Sequence, residues 1–327
     1  MPAAHDKPHD APIRGEIRVA GYRRVTHGVF RRLTPDDEVD DDSEFHRDLQ
    51  AWLLILPEGA VFTHVTAARL LGWQLPALPE QVPVFAAVRT DDSRPRRPGL
   101  ICSRLVRESK PRYCHGLPVD TAEEILLRAA RDLGTLDLVI MIDSALRLEH
   151  LDHERMMKLL ASRRPGVRAL RAAYRLSDRR AESGGETVLR IFHDTCDVPV
   201  HPQAELVDED GRFLFRADLL VTGTNFVHEY DGAIHRGKSQ HRNDLRRERR
   251  FAGSPYERRG YTLDELLNHP VAIMHELDRC LGRPHRLVRI DRWRRLVGNS
   301  MYDASGRERV MNRWRRVTAL VDWSQTG

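Results

Sequence analysis

Three short segments of the C-terminal half are rich in apolar residues and too short for typical helices, which predicts strands. The segments are residues 204–207, 213–221 and 226–230. Turn-forming residues separate them at 208–211 and 222–225. Residues 186–193 precede the first strand and have apolar positions at helical spacing. The pattern therefore predicts a helix followed by a three-stranded meander.

The N-terminal half mixes both periodicities. Residues 1–19 are expected to be disordered, and the acidic run 36–42 to be a linker. Basic and apolar residues alternate around His27 and Gly28, which predicts a hairpin or wing over 21–33. Further strands are predicted at 82–89 and 100–106. Helices are predicted at 44–56, 63–72, 122–133, 137–148 and 152–177, with a break near 165–166 in the last.

Two of these helices, 44–56 and 63–72, are joined by Pro57, Glu58 and Gly59. Thr63 is placed to cap the second helix, and Gly72 to close it. Two short helices with such a connection are typical of a helix-turn-helix. A packed helical hairpin gives the same pattern, so both interpretations stay open.

The end of the chain is rich in arginine. Helices are predicted over residues 239–251 and 262–281, the first strongly basic. Beyond them, the motif Arg-Trp-Arg-Arg occurs around Trp293 and again around Trp314. The tryptophans could stack on nucleic-acid bases or anchor the tail in the core while the arginines reach the solvent. We favour the anchor.

Composition narrows the class of protein. The chain has 327 residues, a formal net charge of +5 and 31% charged residues. A basic balance favours an anionic partner such as nucleic acid, although a solubilising surface explains it equally well. Cys102, Cys114, Cys196 and Cys280 form no CxxC pair and are expected to be reduced and buried. Without an apolar run of about 20 residues, we expect no membrane association and a cytoplasmic location.

The acidic residues of the predicted meander are the candidate chemistry. Asp218 lies within the strand FRADLLV, and Glu229 and Asp231 lie two apart in FVHEYDG. Glu186 adds a carboxylate from the preceding helix. Clustered carboxylates repel one another unless a hard cation such as Mg²⁺ joins them. The alternative is a set of surface acids that nearby arginines neutralise.

At these residues the chain resembles very-short-patch-repair-like endonuclease domains of the PD-(D/E)XK superfamily. The segments that carry the resemblance are SGGETVLR, FRADLLV, HEYDGAIHR and QHRNDLRRERR, between residues 183 and about 270. The resemblance implies a mixed sheet flanked by helices and a site bound to Mg²⁺ or Mn²⁺. It implies catalytic roles for Glu186, Asp218, Glu229 and Asp231, the first three being metal ligands. Asp231 stands where the superfamily name implies lysine.

The upstream region is similar to the type IV antitoxin (AbiEi) family. The segments concerned are HGVFRRL, GAVFTHVTAARLLGW and GLPVDTAEEILLRAAR. About 20 residues precede Gly21, whereas relatives carry a winged helix-turn-helix there. We therefore predict an α/β protein with an antitoxin-like α+β domain over 20–180, a nuclease-like domain over 181–284 and an Arg/Trp-rich extension over 285–327. Ser183, Gly184 and Gly185 mark the boundary between the two domains.

A basic segment follows the acids and is the predicted contact with nucleic-acid phosphates. Its candidate residues are His235, Arg236, Lys238, Gln240, Arg242, Arg246 and Arg250. Arginines at 242, 246, 249 and 250 share one helical face. A solvated face is the alternative. The sequence thus predicts metal-dependent hydrolysis of nucleic acid, with DNA as the expected substrate, in defence or repair. The alternative is a DNA-binding regulator or antitoxin whose nuclease-like domain is inactive.

Overall fold

The computed structural model describes residues 11–16, 20–33, 40–106, 112–232 and 254–318. Within them the chain is an α/β protein, as the sequence predicts. The strands are β1 (Ile13–Arg14), β2 (Tyr22–Thr26), β3 (Val29–Arg32), β4 (Val61–Phe62), β5 (Val84–Val88), β6 (Leu100–Arg104), β7 (Arg112–Cys114), β8 (Leu117–Val119), β9 (Val200–Val207), β10 (Phe213–Val221), β11 (Phe226–Tyr230) and β12 (Glu257–Tyr261).

The helices begin near the predicted residues in most cases. They are α1 (Asp41–Leu53), α2 (His64–Leu70), α3 (Ala122–Ala129), α4 (Thr135–Arg147), α5 (His153–Leu160), α6 (Val167–Tyr174), α7 (Gly184–Thr195), α8 (Leu263–Asn268), α9 (Pro270–Cys280), α10 (Val288–Gly298) and α11 (Ala304–Thr318). In the part of the chain that is described, none of them has the length and apolar character needed to cross a membrane.

Contacts divide the chain into two compact units. The first comprises Met1–Gly72, Pro79–Arg128 and Met311–Gly327, and the second comprises Trp73–Leu78 and Ala129–Val310. This division differs from the predicted boundaries at 180/181 and 284/285. The reason lies in buried contacts of the second unit that cross both positions: Asp143 of α4 with Arg190 of α7 at 2.7 Å, and Asp278 of α9 with Arg289 of α10 at 2.9 Å.

The first unit contains two sheets. Strands in the order β1-β3-β2 form one, and the predicted hairpin is confirmed, with Gly28 at φ 69° in its turn. The expectation of disorder over 1–19 is wrong at Ile13 and Arg14, which pair with β3 through backbone groups that leave no side-chain pattern. The second sheet has the order β6-β5-β4-β8-β7.

Neither interpretation of residues 44–73 is correct. Strand β4 lies between α1 and α2 and pairs with both β5 and β8, so the two helices are not joined by a simple turn. Two residues are too few for a strand periodicity, which explains the missed strand. The acidic run is likewise more than a linker, because Asp40 caps α1 and Asp41 begins it, where negative charge is favourable.

Both Arg-Trp-Arg-Arg motifs are anchored by buried tryptophans, as favoured from the sequence. In the first unit, the ring of Trp314 packs edge-on against Phe85 with centroids 5.4 Å apart. In the second unit, Trp293 is buried against Phe192, and its indole N–H donates to the carbonyl oxygen of Leu266 at 2.8 Å. Neither ring is available to stack on a base.

The second unit is built around a mixed sheet with the strand order β12-β11-β10-β9. The meander β9–β10–β11 is antiparallel, and β12 runs parallel to β11. Helix α4 is buried on all sides from Leu136 to Ala145, which is typical of a central core helix. The break between α5 and α6 is confirmed, whereas the predicted helix 262–281 is two helices because Pro270 begins the second.

Two further expectations concern particular residue types. All four cysteines are free, but Cys196 alone is buried, so the expectation of burial is wrong for Cys102, Cys114 and Cys280, which are half-buried. The predicted basic helix over 239–251 lies outside the described residues.

Candidate active site

One row of residues crosses the sheet of the second unit from edge to edge. The register of β9 and β10 places Gln203 beside Asp218, and that of β10 and β11 places Asp218 beside Glu229. Glu229 is in turn paired with Gly260 of β12. Directly opposed residues on neighbouring strands point to the same face. Asp218 and Glu229 are therefore brought together as the sequence predicts, on adjacent strands.

Asp218 is half-buried and acts on the backbone of the neighbouring strand. Its Oδ2 accepts a hydrogen bond from the backbone N–H of Tyr230 at 2.9 Å. The backbone ladder between β10 and β11 ends one residue earlier, at the pair Leu219 and His228. The carboxylate therefore holds the end of β11, where Glu229, Tyr230 and Asp231 follow one another.

Glu229 and Asp231 share one cation. The Nε of Arg258, on β12, donates to the Oε2 of Glu229, and its Nη2 donates to the Oδ1 of Asp231 at 3.0 Å. Glu229 is only 2% exposed, whereas Asp231 is 42% exposed and Arg258 31%. A buried carboxylate needs a counter-charge, and Arg258 provides it from the strand parallel to β11.

Glu186 reaches the row indirectly. Ser183 caps helix α7 by accepting from the backbone N–H of Glu186 at 3.1 Å, which fixes the first turn. The Oε2 of Glu186 accepts from the Nε2 of Gln203 and from the backbone N–H of Glu182, both at 2.8 Å. Gln203 has a φ of 52°, a strained backbone conformation for a side chain of this kind within a strand.

Two glycines leave space for site residues. A β-carbon on Gly260 would overlap the carboxylate of Asp231, and one on Gly185 would overlap the ring of Tyr230. Neither glycine has a positive φ, so space rather than backbone freedom is what these positions require. Gly185 therefore lets Tyr230 pack against the start of α7.

Behind the acids, the opposite face of β11 carries a buried pair of histidines, His193 and His228. Nδ1 of His193 lies 2.8 Å from the carbonyl oxygen of Leu189 and so carries a proton, which leaves Nε2 to accept from the Nδ1 of His228 at 2.7 Å. Burial lowers the pKa of His193 to about 4 and that of His228 to about 2. Both rings are neutral near pH 7 and add no charge to the site.

The structure brings some of the predicted site residues together, and others lie outside the described residues. Asp218, within β10, lies beside Glu229 at the C-terminal end of β11, Asp231 follows that end, and Glu186 joins through Gln203. Within the described ranges, no three His, Cys, Asp or Glu side chains are arranged to hold a metal ion. The candidate nucleic-acid contacts lie outside the described residues; they are His235, Arg236, Lys238, Gln240, Arg242, Arg246 and Arg250.

Sequence reasoning missed two residues of this site. Arg258 belongs to β12, whose sequence ERRGY has no alternation of apolar and polar residues, so neither the strand nor its direction is predictable. Gln203 lies in β9, which begins before the predicted segment 204–207. The signal for Arg258 was the presence of acids in a buried strand, since such acids require a cationic partner.

Comparison with known proteins adds no relative: no family model matches the chain, and no curated protein or solved structure does. The resemblance to endonuclease domains and to type IV antitoxins stays a prediction from the sequence motifs.

Proposed function

We propose that this chain hydrolyses phosphodiester bonds in nucleic acid with Mg²⁺ or Mn²⁺, with DNA as the expected substrate, in defence or repair. The observation that supports the proposal is the juxtaposition of Asp218, within β10, with Glu229 and Asp231 at the C-terminal end of β11. A cluster of this kind carries a cost in like-charge repulsion. Proteins retain such clusters where the charge has a use.

Every candidate ligand offers oxygen, the donor atom that a hard divalent cation prefers, but among the described residues no three such side chains are already arranged around one ion position. Asp218, Glu229 and Glu186 would hold the ion, which when bound polarises a phosphate and makes water more acidic. Asp231 is the more exposed carboxylate and lies beside Glu229 on the same cation, Arg258. In this proposal Asp231 takes the proton from the attacking water.

A second candidate function is binding without cleavage, as a DNA-binding regulator or antitoxin. The ion pairs of Arg258 favour it, because they neutralise Glu229 and Asp231 without a metal. Acids that serve as structural partners of an arginine need no catalytic role. The two functions differ in whether wild-type protein breaks phosphodiester bonds.

The test is cleavage by the full chain. Plasmid, single-stranded DNA, short duplexes and RNA are incubated with Mg²⁺, Mn²⁺ or EDTA, and products are separated on gels. We expect cleavage that needs the metal, that Asp218→Asn and Asp231→Asn abolish, and that Glu209→Gln leaves intact. Glu209 is a matched control because it is an exposed acid in the turn between β9 and β10.

Stability separates a chemical role from a structural one. Asp231→Asn relieves repulsion with Glu229 but loses the contact with Arg258, so its melting temperature without metal should change little. Loss of cleavage at an unchanged melting temperature supports the catalytic role of Asp231. Retained cleavage in Asp231→Asn alongside loss in Asp218→Asn would make Asp231 a structural residue. If wild type cleaves no substrate with any metal, the regulator becomes the better conclusion.

A further inference from the structure

Arg258 is placed where the acidic row meets the solvent. It comes from β12, two residues before Gly260, and its guanidinium bridges the buried Glu229 and the half-exposed Asp231. With 31% of its side chain exposed, it is neither a core residue nor a freely solvated one. The neighbouring Arg259 lies on the other face of the strand, where it pairs with Glu276 and covers the ring of Phe226.

An anionic ligand could approach these acids only beside a positive charge such as that of Arg258. Asp218, Glu229 and Asp231 would repel a phosphate, and among the described residues Arg258 is the cation that contacts two of them. A guanidinium presents a planar fork of N–H donors that matches the geometry of a phosphate. Asp231 occupies the position two residues after Glu229, so no cationic side chain comes from that position of β11.

We propose that Arg258 is the phosphate-contacting residue of this site, with its guanidinium bound to the phosphate at which the acids act. This inference rests on the proposed function. In the free protein Arg258 neutralises Glu229 and Asp231. When these carboxylates bind a divalent cation instead, the positive charge of Arg258 is no longer offset by them and becomes available to the phosphate.

The experiment compares Arg258→Gln and Arg258→Lys with Arg259→Gln, the matched control from the other face of the same strand. Binding of the full chain to a short DNA duplex is measured by fluorescence anisotropy in EDTA and in Ca²⁺, over a series of salt concentrations. Cleavage is measured separately with Mg²⁺. A contact to one phosphate contributes about 0.9 to the slope of log affinity against log salt.

We expect Arg258→Gln to lower the salt slope in Ca²⁺ by about one and to slow cleavage about 100-fold, the loss typical of a donor aimed at developing charge. Arg258→Lys should restore the slope, since it keeps the charge, but only part of the rate, since it lacks the fork. Arg259→Gln should match wild type in both. An unchanged slope in Arg258→Gln overturns the proposal and makes Arg258 a counter-ion of Glu229.

Folding needs its own control, because Arg258→Gln leaves the carboxylate of Glu229 buried without its cation. If that variant unfolds, the slope is compared between Glu229→Gln and Glu229→Gln with Arg258→Gln, where no buried charge is stranded. A slope that is lower in the double variant supports the contact, and an equal slope refutes it. If wild type binds duplex with an Arg258-dependent slope yet never cleaves, the hydrolysis proposal alone fails.

Discussion

Asp143→Ala removes a buried carboxylate that joins helix α4 to helix α7. The Oδ2 of Asp143 accepts from Arg190 Nη2 at 2.7 Å and from the hydroxyl of Thr187 at 2.8 Å, and its Oδ1 accepts from the backbone N–H of Asp178 at 2.7 Å. Burial raises the pKa of Asp143, and the charge of Arg190 opposes that rise. The contacts with Thr187 and Arg190 cross the predicted boundary at 180/181.

The expected loss of unfolding free energy is large because Arg190, the partner of Asp143, cannot move its charge into solvent. Arg190 is itself buried, and its Nη1 donates to the carbonyl oxygen of Leu176 at 2.7 Å. Removing one member of a buried ion pair strands the other charge and costs about 3–5 kcal/mol of unfolding free energy. The exposed pair of Lys158 and Glu154 is the internal comparison, since such pairs contribute about 0–1 kcal/mol.

The assay is urea unfolding followed by circular dichroism, together with hydrogen exchange of the amides in α4 and α7. Asp143→Ala should lower the free energy of unfolding by about 3–5 kcal/mol and reduce protection in both helices. Asp143→Asn keeps the side-chain volume, so a comparable loss there assigns the effect to charge and hydrogen bonds rather than to a cavity. A loss below about 1 kcal/mol, or reduced protection in α4 with α7 unaffected, would refute the reasoning that these helices form one unit.

Two further predictions concern one buried and one partly exposed acid. Asp137 accepts from the backbone N–H groups of Gly134 and Met301, and burial raises its pKa from 3.8 to about 7. Between those two values the unfolded chain binds fewer protons than the folded chain. The free energy of unfolding should therefore fall by at most about 4 kcal/mol as pH rises from about 4 to about 7. In denaturation curves across that range, Asp137→Asn should remove this pH dependence, and an unchanged pH dependence would contradict the assignment. Gly260→Ala should displace the carboxylate of Asp231, a side chain that can rotate away. The free energy of unfolding of Gly260→Ala should change by less than about 1 kcal/mol, while its metal-dependent cleavage should fall as in Asp231→Asn. Cleavage by Gly260→Ala at the wild-type rate would show that the observed position of Asp231 is not required.

The amino-acid sequence by itself determined the elements with a strong local signal. Strands β10 and β11 have the predicted bounds because each is rich in apolar and aromatic residues and a turn-forming segment separates them. The same pattern predicted that Asp218 and Glu229 come together, since a short turn joins their two strands in a hairpin. The buried tryptophans were likewise foreseeable from size and apolar surface.

Tertiary structure alone decided which elements share a core and which cation forms ion pairs with the acids. Strand β4 has two residues and β12 is mostly charged, so each exists through pairing with neighbours rather than through its own pattern. Arg258 meets Glu229 across 29 positions of sequence because β12 runs parallel to β11. Asp143 and Arg190 meet across 47 positions. Such contacts depend on chain path and burial, and local periodicity carries no information about either.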